Sequence, residues 1–299
     1  MTTPIETKLL RGKAPSRQLN EEIARSRAIL TSMGGRPPLL ATVLVGDNPA
    51  AEAYRSSIMR SFGRLELPHS AVELPATTPA VQLIETLHRL NNDLAVTGIL
   101  VLMPLPAHLD PHFVLEHLSP LKDVDGITPT NAGRLHLGLP SLRPSTPQGG
   151  LELLDHYGIE LEGVRVTVVG RSNVVGRPLA TLLTQRHATV TLCHRRTVDL
   201  ASETRGAEIV CVAAGHPGLI TGDMLTAGAT VIDFGVNVVE EKIVGDASFS
   251  SVNGVAAAVT PVPGGTGPVT TLVLARNTIA AGFAALAGNL DHVEYAELG

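Results

Sequence analysis

Short aliphatic runs alternate along this chain with segments in which apolar residues recur every three or four positions, and Gly, Pro, Asn and Asp separate the two. Such alternation predicts buried strands joined by amphipathic helices, the signature of parallel α/β sheets. A helix is expected over residues 16–33, with Leu19, Ile23, Ile29 and Leu30 inward and Gly34-Gly35 and Pro37-Pro38 stopping it. Residues 39–45 read as a buried strand, Gly46-Asp47-Asn48-Pro49 as a turn and residues 50–62 as a helix. A short strand follows at 71–74. Thr77 or Thr78 can then cap a helix whose Pro79 suits the first turn and whose Val81, Ile84, Leu87 and Leu90 face the core. Residues 98–103 form a third aliphatic run, ending at Pro104-Leu105-Pro106. Prolines at the carboxyl end of such a strand point to a site there.

From Pro120 the texture changes to Lys122-Asp123-Val124-Asp125-Gly126 and a Pro/Gly/Thr-rich passage through Gly150, too polar and punctuated for core. This passage is expected to be functional loop and domain boundary. A connecting helix at 151–157 and strands at 189–193, 209–213 and 230–234 then predict a second, smaller doubly wound sheet. Residues 260–270 form a Gly/Pro loop, and 271–287 an Ala-rich closing helix able to return to the first domain. Residues 289–299 read as a loose tail. The expected architecture is α/β with two domains: residues 1–148, completed by the helix at 271–288, and a Rossmann-like domain at 149–270.

Residues 166–178 carry the clearest local chemistry. Strand residues run into Gly170, small and polar residues follow, and Gly176 and Pro178 open a segment with helical spacing at Leu179, Leu182 and Leu183. A turn of this kind directs backbone N–H groups, at the positive end of a helix, towards an anion such as phosphate. The spacing departs from G-x-G-x-x-G: Ser172 holds the second glycine place and Gly176 comes one place late.

Composition changes the picture in a few respects. The chain has 299 residues, 44% apolar but 3% aromatic with no Trp, so Ala, Val and Leu must fill the interior. A formal charge of −5, with no basic run longer than His194-Arg195-Arg196, argues against nucleic acid as a partner. No stretch approaches the roughly 18 uninterrupted apolar residues of a membrane span, and a secretory signal pattern is not seen at the N-terminus. Cytoplasmic localisation is expected. Cys193 and Cys211 read as buried reduced thiols, and His108, His112, His117 and His136 lack ligand-spaced acidic partners, so no metal is expected.

Several passages together resemble the methylenetetrahydrofolate dehydrogenase/cyclohydrolase family. They are Val45-Gly46-Asp47-Asn48-Pro49-Ala50 with Tyr54, Gly98-Ile99-Leu100-Val101 with Pro104-Leu105-Pro106, Lys122-Asp123-Val124-Asp125-Gly126, the Gly170 turn, and Pro261-Val262-Pro263-Gly264-Gly265 with Gly267-Pro268. The resemblance implies two α/β domains with a cleft between them, a homodimer, and NAD(P)-dependent oxidation of methylene-tetrahydrofolate followed by hydrolysis of the methenyl product. It implies cofactor contacts at Gly170, Arg171, Ser172, Gly176, Arg195 and Val236. On the folate side it implies Tyr54, Val101, Met103, Asp125, Pro263, Gly264 and Gly267, with Tyr54 stacked on the pterin and Asp125 bonded to it; Tyr54 and Asp125 are the candidate catalytic residues. Arg171, Arg195 and Arg196, with no acid at that strand end, suit a ribose 2′-phosphate and favour NADP.

The folate wall departs from the resembled pattern. The family's general acid/base Lys and its Gln partner are replaced by Ile58 and Leu102, neither of which transfers a proton. Ala51 stands where Ser is usual, and Ser145 where many members have Cys. Losing both members of a polar pair can be nearly neutral, whereas losing one strands the other at a cost of roughly 1 to 3 kcal/mol. An NADP-dependent methylenetetrahydrofolate dehydrogenase with weak or absent cyclohydrolase activity is therefore expected. The alternative is a folate-binding homologue repurposed for non-redox one-carbon transfer or regulation.

Overall fold

The structure, a computed structural model, describes residues 5–293. In chain order these form β1 (Lys8–Leu9), α1 (Lys13–Ser32), β2 (Leu39–Val45), α2 (Pro49–Arg64), β3 (His69–Leu74), α3 (Ala80–Asn92), β4 (Val96–Val101), α4 (Pro111–Leu115), α5 (Pro129–His136) and α6 (Ser145–His156). There follow β5 (Arg165–Val169), α7 (Gly176–Gln185), β6 (Thr189–Cys193), α8 (Leu200–Arg205), β7 (Ile209–Val212), β8 (Thr230–Asp233), β9 (Asn237–Val239), β10 (Lys242–Val244), α9 (Phe249–Val252), β11 (Ala258–Val259) and α10 (Thr266–Ala287). Two compact units result: the described residues up to Gln18 with Thr146–Thr270, and Leu19–Ser145 with the described residues from Thr271 onward.

The unit holding Leu19–Ser145 is built on a parallel three-stranded sheet in the order β3-β2-β4. Every residue of β4 is buried, as is β2 after its first position, so the aliphatic runs mark sheet centre. Helix α1 buries Leu19, Ile23 and Leu30, spaced four and seven apart, while Ile29 is 46% exposed. One residue of helix is a turn of about 100°, which carries Ile29 off the stripe. Likewise α3 buries Leu83, Thr86, Leu87 and Leu90, and Val81 stands outside that face at 67% exposure. Neither threonine caps α3: Pro79 occupies the cap position without a side-chain bond, and the buried Thr78 hydroxyl has no partner.

The passage from Pro120 to Gly150 is not mere loop. It contains α5 and the start of α6, and it buries Thr128, Asn131, Leu135, Leu142 and Ser145. Polar residues are tolerated there because their bonds are internal: Asn131 Nδ2 donates to Pro120 O and Asp123 Oδ2, both at 2.9 Å. Asp123 also accepts from the Ile127 and Thr128 amides, closing the turn that follows it. Lys122 Nζ donates to Leu90 O and Asp93 O, closing the carboxyl end of α3.

Helix α10 begins at Thr266, five residues earlier than the pattern predicts, with Pro268 in its first turn. By length and composition it could cross a membrane, but 78% of its most apolar window is buried inside the fold, as in a core helix. Within this unit Asn277 Nδ2 donates to Val124 O and Arg143 O at 2.7 Å. The expected tail starts later than residue 289. Leu290–His292 forms a 3-10 turn, Leu290 and Val293 are buried, and Asp291 pairs with Arg134; residues 294–299 lie outside the described residues.

The other unit carries the larger sheet, not the smaller: six parallel strands in the order β1-β11-β8-β7-β5-β6. The two-residue strands β1 and β11, neither long enough to show a period, widen a four-stranded core that already outnumbers the other sheet's three. Pairing of β1 with β11 also draws the N-terminal residues into this unit and away from the first sheet. Strands β9 and β10 form a separate antiparallel hairpin.

Candidate functional site

In the six-stranded sheet, β5 lies between β6 and β7. The chain leaves β5 to one side and returns on the other, so the carboxyl end of β5 is a topological switch point, where open α/β sheets bind ligands. Gly170 stands there with φ +121, and a Cβ on it would lie 2.1 Å from Ala213 O. A Cβ on Gly176 would lie 1.9 Å from Gly170 O. Both glycines are therefore sterically required: the turn folds onto its own backbone and onto the loop after β7. Ser172 shapes the entry to α7, its hydroxyl accepting from Val175 N at 3.0 Å and Gly176 N at 3.4 Å, and its carbonyl from Arg177 N at 3.0 Å.

The turn after β6 sits beside this one, because Gly170 N donates to Cys193 O at 2.9 Å. Thr197 closes it through His194, leaving Arg195 and Arg196 exposed, as is Arg171. Asp199, the next acid along, is engaged as the cap of α8 through Ser202 N at 2.9 Å. Val236, 68% exposed, follows Gly235 at the end of β8. Pro263, Gly264 and Gly267 belong to this unit too; Gly264 O accepts from Gly12 N at 2.9 Å, and Gly267 is in the first turn of α10.

Sequence reasoning missed two acids here, Asp233 and Asp246, which are 2% and 0% exposed. Asp233 accepts from the amides of Gly235, Asp246 and Ala247 at 2.8, 3.1 and 2.8 Å. Burial pushes its carboxyl up to about 6, and the neighbouring Asp246 adds to that, against the three amide bonds. The available signal was an acid closing an otherwise aliphatic strand, which demands a partner.

The three-stranded sheet repeats the switch-point arrangement, with β2 between β3 and β4. From the carboxyl end of β2 the chain turns at Gly46 into α2, capped by Asn48 Oδ1, which accepts from Ala50 N and Ala51 N. Helix α2 presents half-buried Tyr54 and, one turn on, Ile58 at 0% exposure. Beside β2, Leu102 N donates to Val43 O at 2.9 Å, so β4 carries Val101 and Leu102, each 2% exposed, and half-buried Met103 to the same sheet edge.

Asp125 is joined to this group through Ser145, whose hydroxyl and amide donate to Asp125 Oδ1 at 2.6 and 3.2 Å. Oδ2 takes neither bond. Burial pushes the Asp125 carboxyl up to about 6, with the charge of Asp123 adding and the Ser145 bonds opposing. The Tyr54 phenol is held well above its ordinary range, first by burial and then by the Asp125 charge, against a hydrogen bond with Ser145. Tyr54, Ser145 and Asp125 thus form one cluster, a phenol that stays protonated beside a carboxyl that titrates near neutrality. It can orient a heterocycle through an aromatic face and paired donor and acceptor, and it contains no activated nucleophile. Its linking residue, Ser145, stands out in the sequence only as a departure from Cys.

Comparison with known proteins agrees with this arrangement. Residues 10–125 match the family model for the tetrahydrofolate dehydrogenase/cyclohydrolase catalytic domain, and residues 144–285 the model for its NAD(P)-binding domain. The bifunctional protein FolD of Chloroflexus aurantiacus is 50% identical over 278 residues, covering 93% of this chain and 98% of the relative. Among solved structures, the bifunctional dehydrogenase/cyclohydrolase FolD of Campylobacter jejuni superposes with a TM-score of 0.88 at 41% identity, over 92% of this chain and 98% of that one. The Trypanosoma brucei enzyme, solved with NADP cofactor and inhibitor, gives 0.88 at 34% identity, over 96% and 99%. With two switch-point sites in place and both family models matched in order, the chain belongs to the tetrahydrofolate dehydrogenase/cyclohydrolase family.

Proposed function

We propose that this protein is an NADP-dependent methylenetetrahydrofolate dehydrogenase, a cytoplasmic homodimer, in which the cyclohydrolase step is weak or absent. The observation that carries the reading is the Tyr54–Ser145–Asp125 cluster, together with two aliphatic, buried residues: Ile58, one helical turn beyond Tyr54, and Leu102, just after β4. Binding and orienting groups for a pterin are retained, while two places at which proton transfer would be managed are hydrocarbon.

The Gly170–Gly176 turn fits a pyrophosphate, since the two glycines bring backbone close where any side chain would fill the cradle. Arg195, with Arg171 and Arg196 available, would meet the 2′-phosphate, and Val236 would contact the cofactor from the next loop. NADP, when bound, supplies the redox chemistry. The chain's own work is to hold the folate one-carbon unit in register with it. Tyr54 stacks on the pterin, Asp125 bonds its polar edge, and Val101 and Met103 add apolar contacts, while Pro263, Gly264 and Gly267 are assigned to the substrate by the family resemblance alone. Without a positioned acid/base the hydrolytic rate falls about 10²- to 10⁴-fold.

The test mixes purified protein with methylene-tetrahydrofolate and NADP and follows reduced cofactor and methenyl product separately. Cofactor reduction with methenyl accumulation is expected. Tight folate binding without reduction favours non-redox transfer or regulation instead, and methenyl hydrolysis at a rate typical of bifunctional relatives refutes the proposed loss.

A further inference from the structure

Asp246 has no part in the chemistry above, yet four donors converge on its fully buried carboxylate. Oδ2 accepts from Ala214 N at 2.7 Å and Gly215 N at 2.8 Å. Oδ1 accepts from His216 N at 3.0 Å and Asn237 Nδ2 at 2.8 Å. Three successive amides of the loop after β7 are thus gathered on one anion, which also holds the side chain that opens β9. Asp246 is itself held through its amide by Asp233 Oδ1, and Asp233 N donates to Thr260 Oγ1 at 2.7 Å.

The backbone is shaped around these two acids. A Cβ on Gly235 would lie 2.3 Å from Asp246 Cγ, and one on Gly245 would lie 1.9 Å from Asp233 Oδ2. Most of the bonded groups are loop amides at the carboxyl edge of the sheet, where secondary structure gives them no partner. The loop gathered by Asp246 also abuts the phosphate turn, because it begins at Ala213, whose carbonyl limits Gly170.

We propose that Asp246 is a positioning residue for dinucleotide binding: it fixes the Ala214–Gly215–His216 loop against the Gly170 turn, and the Asn237 end of the Val236 segment beside it. The proposal rests on reading this sheet edge as the NADP site. Asp246→Asn puts an NH2 group where two amides now donate. The expected result is an NADP Kd raised about tenfold or more, since bonds to a charged acceptor are among the stronger ones. KM for NADP should rise in parallel, while kcat at saturating NADP changes less and the affinity for methylene-tetrahydrofolate alone is unchanged.

A role in stability alone predicts a lower melting temperature with unaltered NADP affinity of the folded protein, and that result overturns the proposal. Where Asp246→Asn does not fold, Asn237→Ala decides: it removes one of four donors and keeps the carboxylate, and about a threefold loss of NADP affinity is expected. Unchanged affinity in that variant overturns the proposal as well. Wild-type protein that binds no NADP at all overturns the cofactor reading, and the proposal with it, and the wild-type control makes that failure distinguishable.

Discussion

Replacing Asp125 by Asn should remove a titration from the folded state while sparing its hydrogen bonds. Both Ser145 donors fall on Oδ1, so an Asn oxygen in that position still accepts them. The Asp125 carboxyl rises from 3.8 in the unfolded chain to about 6 in the folded one, with burial as the largest cause. A folded value above the unfolded one means that folding favours the protonated acid. That stabilisation is complete below about pH 4 and is lost as pH rises through 6. At about 1.4 kcal/mol per pH unit, the gap gives an upper figure of about 3 kcal/mol, and the part of Asp125 open to water lowers it to about 1 to 3 kcal/mol.

Urea unfolding at a series of pH values from 4.5 to 7.5 should therefore show wild type losing about 1 to 3 kcal/mol relative to Asp125→Asn as pH rises. Asp233 also has a raised value, but its titration is common to both proteins and cancels in the difference, whereas the coupling of Asp123 to Asp125 is part of what the difference measures. Dehydrogenase activity should be strongly reduced in the variant at every pH, and any wild-type inflection near pH 6 should vanish. A stability difference that stays constant within about 0.5 kcal/mol across this range refutes the reasoning.

Arg195→Ser should weaken NADP binding about tenfold or more and leave NAD binding nearly unchanged; equal losses by titration calorimetry contradict a 2′-phosphate role. Gly176→Ala forces a Cβ to 1.9 Å from Gly170 O. Overpacking against backbone should cost about 1 to 3 kcal/mol and reduce NADP affinity before folate affinity, and unaltered NADP binding would show that the turn is not the cradle. Ile58→Lys alone should destabilise by about 3 to 5 kcal/mol by burying an unpaired ammonium, with Leu102→Gln recovering about 1 to 3 kcal/mol and restoring methenyl hydrolysis. Additive stabilities with no gain in hydrolysis would show that the two positions are not partners.

Long elements were legible because period and punctuation agreed. The strand at residues 39–45 coincides with β2, and the turn at Gly170 lies where strand character stops. Helix phase was less legible: Val81 and Ile29 are apolar and near the buried stripe, yet both are exposed, because one residue shifts a side chain by about 100°. The polar passage after Pro120 was read as loop because burial of Asn131 and Thr128 depends on partners eight and three residues away, or further, which periodicity does not encode. Two-residue β1 and β11 leave no pattern, so two of the six strands of the larger sheet are not legible. Motif context singles out Tyr54 and Asp125 as candidates, whereas the Ser145 link between them and the Asp233–Asp246 pair emerge only from distances.

The two replaced residues bear differently on the two reactions of the family. Oxidation of methylene-tetrahydrofolate leaves the redox work to the cofactor, and the protein must chiefly bind and align. On the proposed roles, a stacked phenol and a bonded carboxyl would supply alignment whatever occupies position 58. Hydrolysis of the methenyl product instead requires a proton to be taken from water and later returned, which needs a group that titrates and reaches the reacting carbon. Tyr54 is driven the wrong way for that, since burial and the Asp125 charge both stabilise its protonated form. Asp125 titrates in a useful range, but both Ser145 bonds hold it by one oxygen, in the orientation proposed for substrate binding. Ile58 and Leu102, fully or almost fully buried, bring hydrocarbon to the remaining places. On the proposed roles, the same wall presents a folate without the means to hydrolyse it, which would separate the two activities on physical grounds.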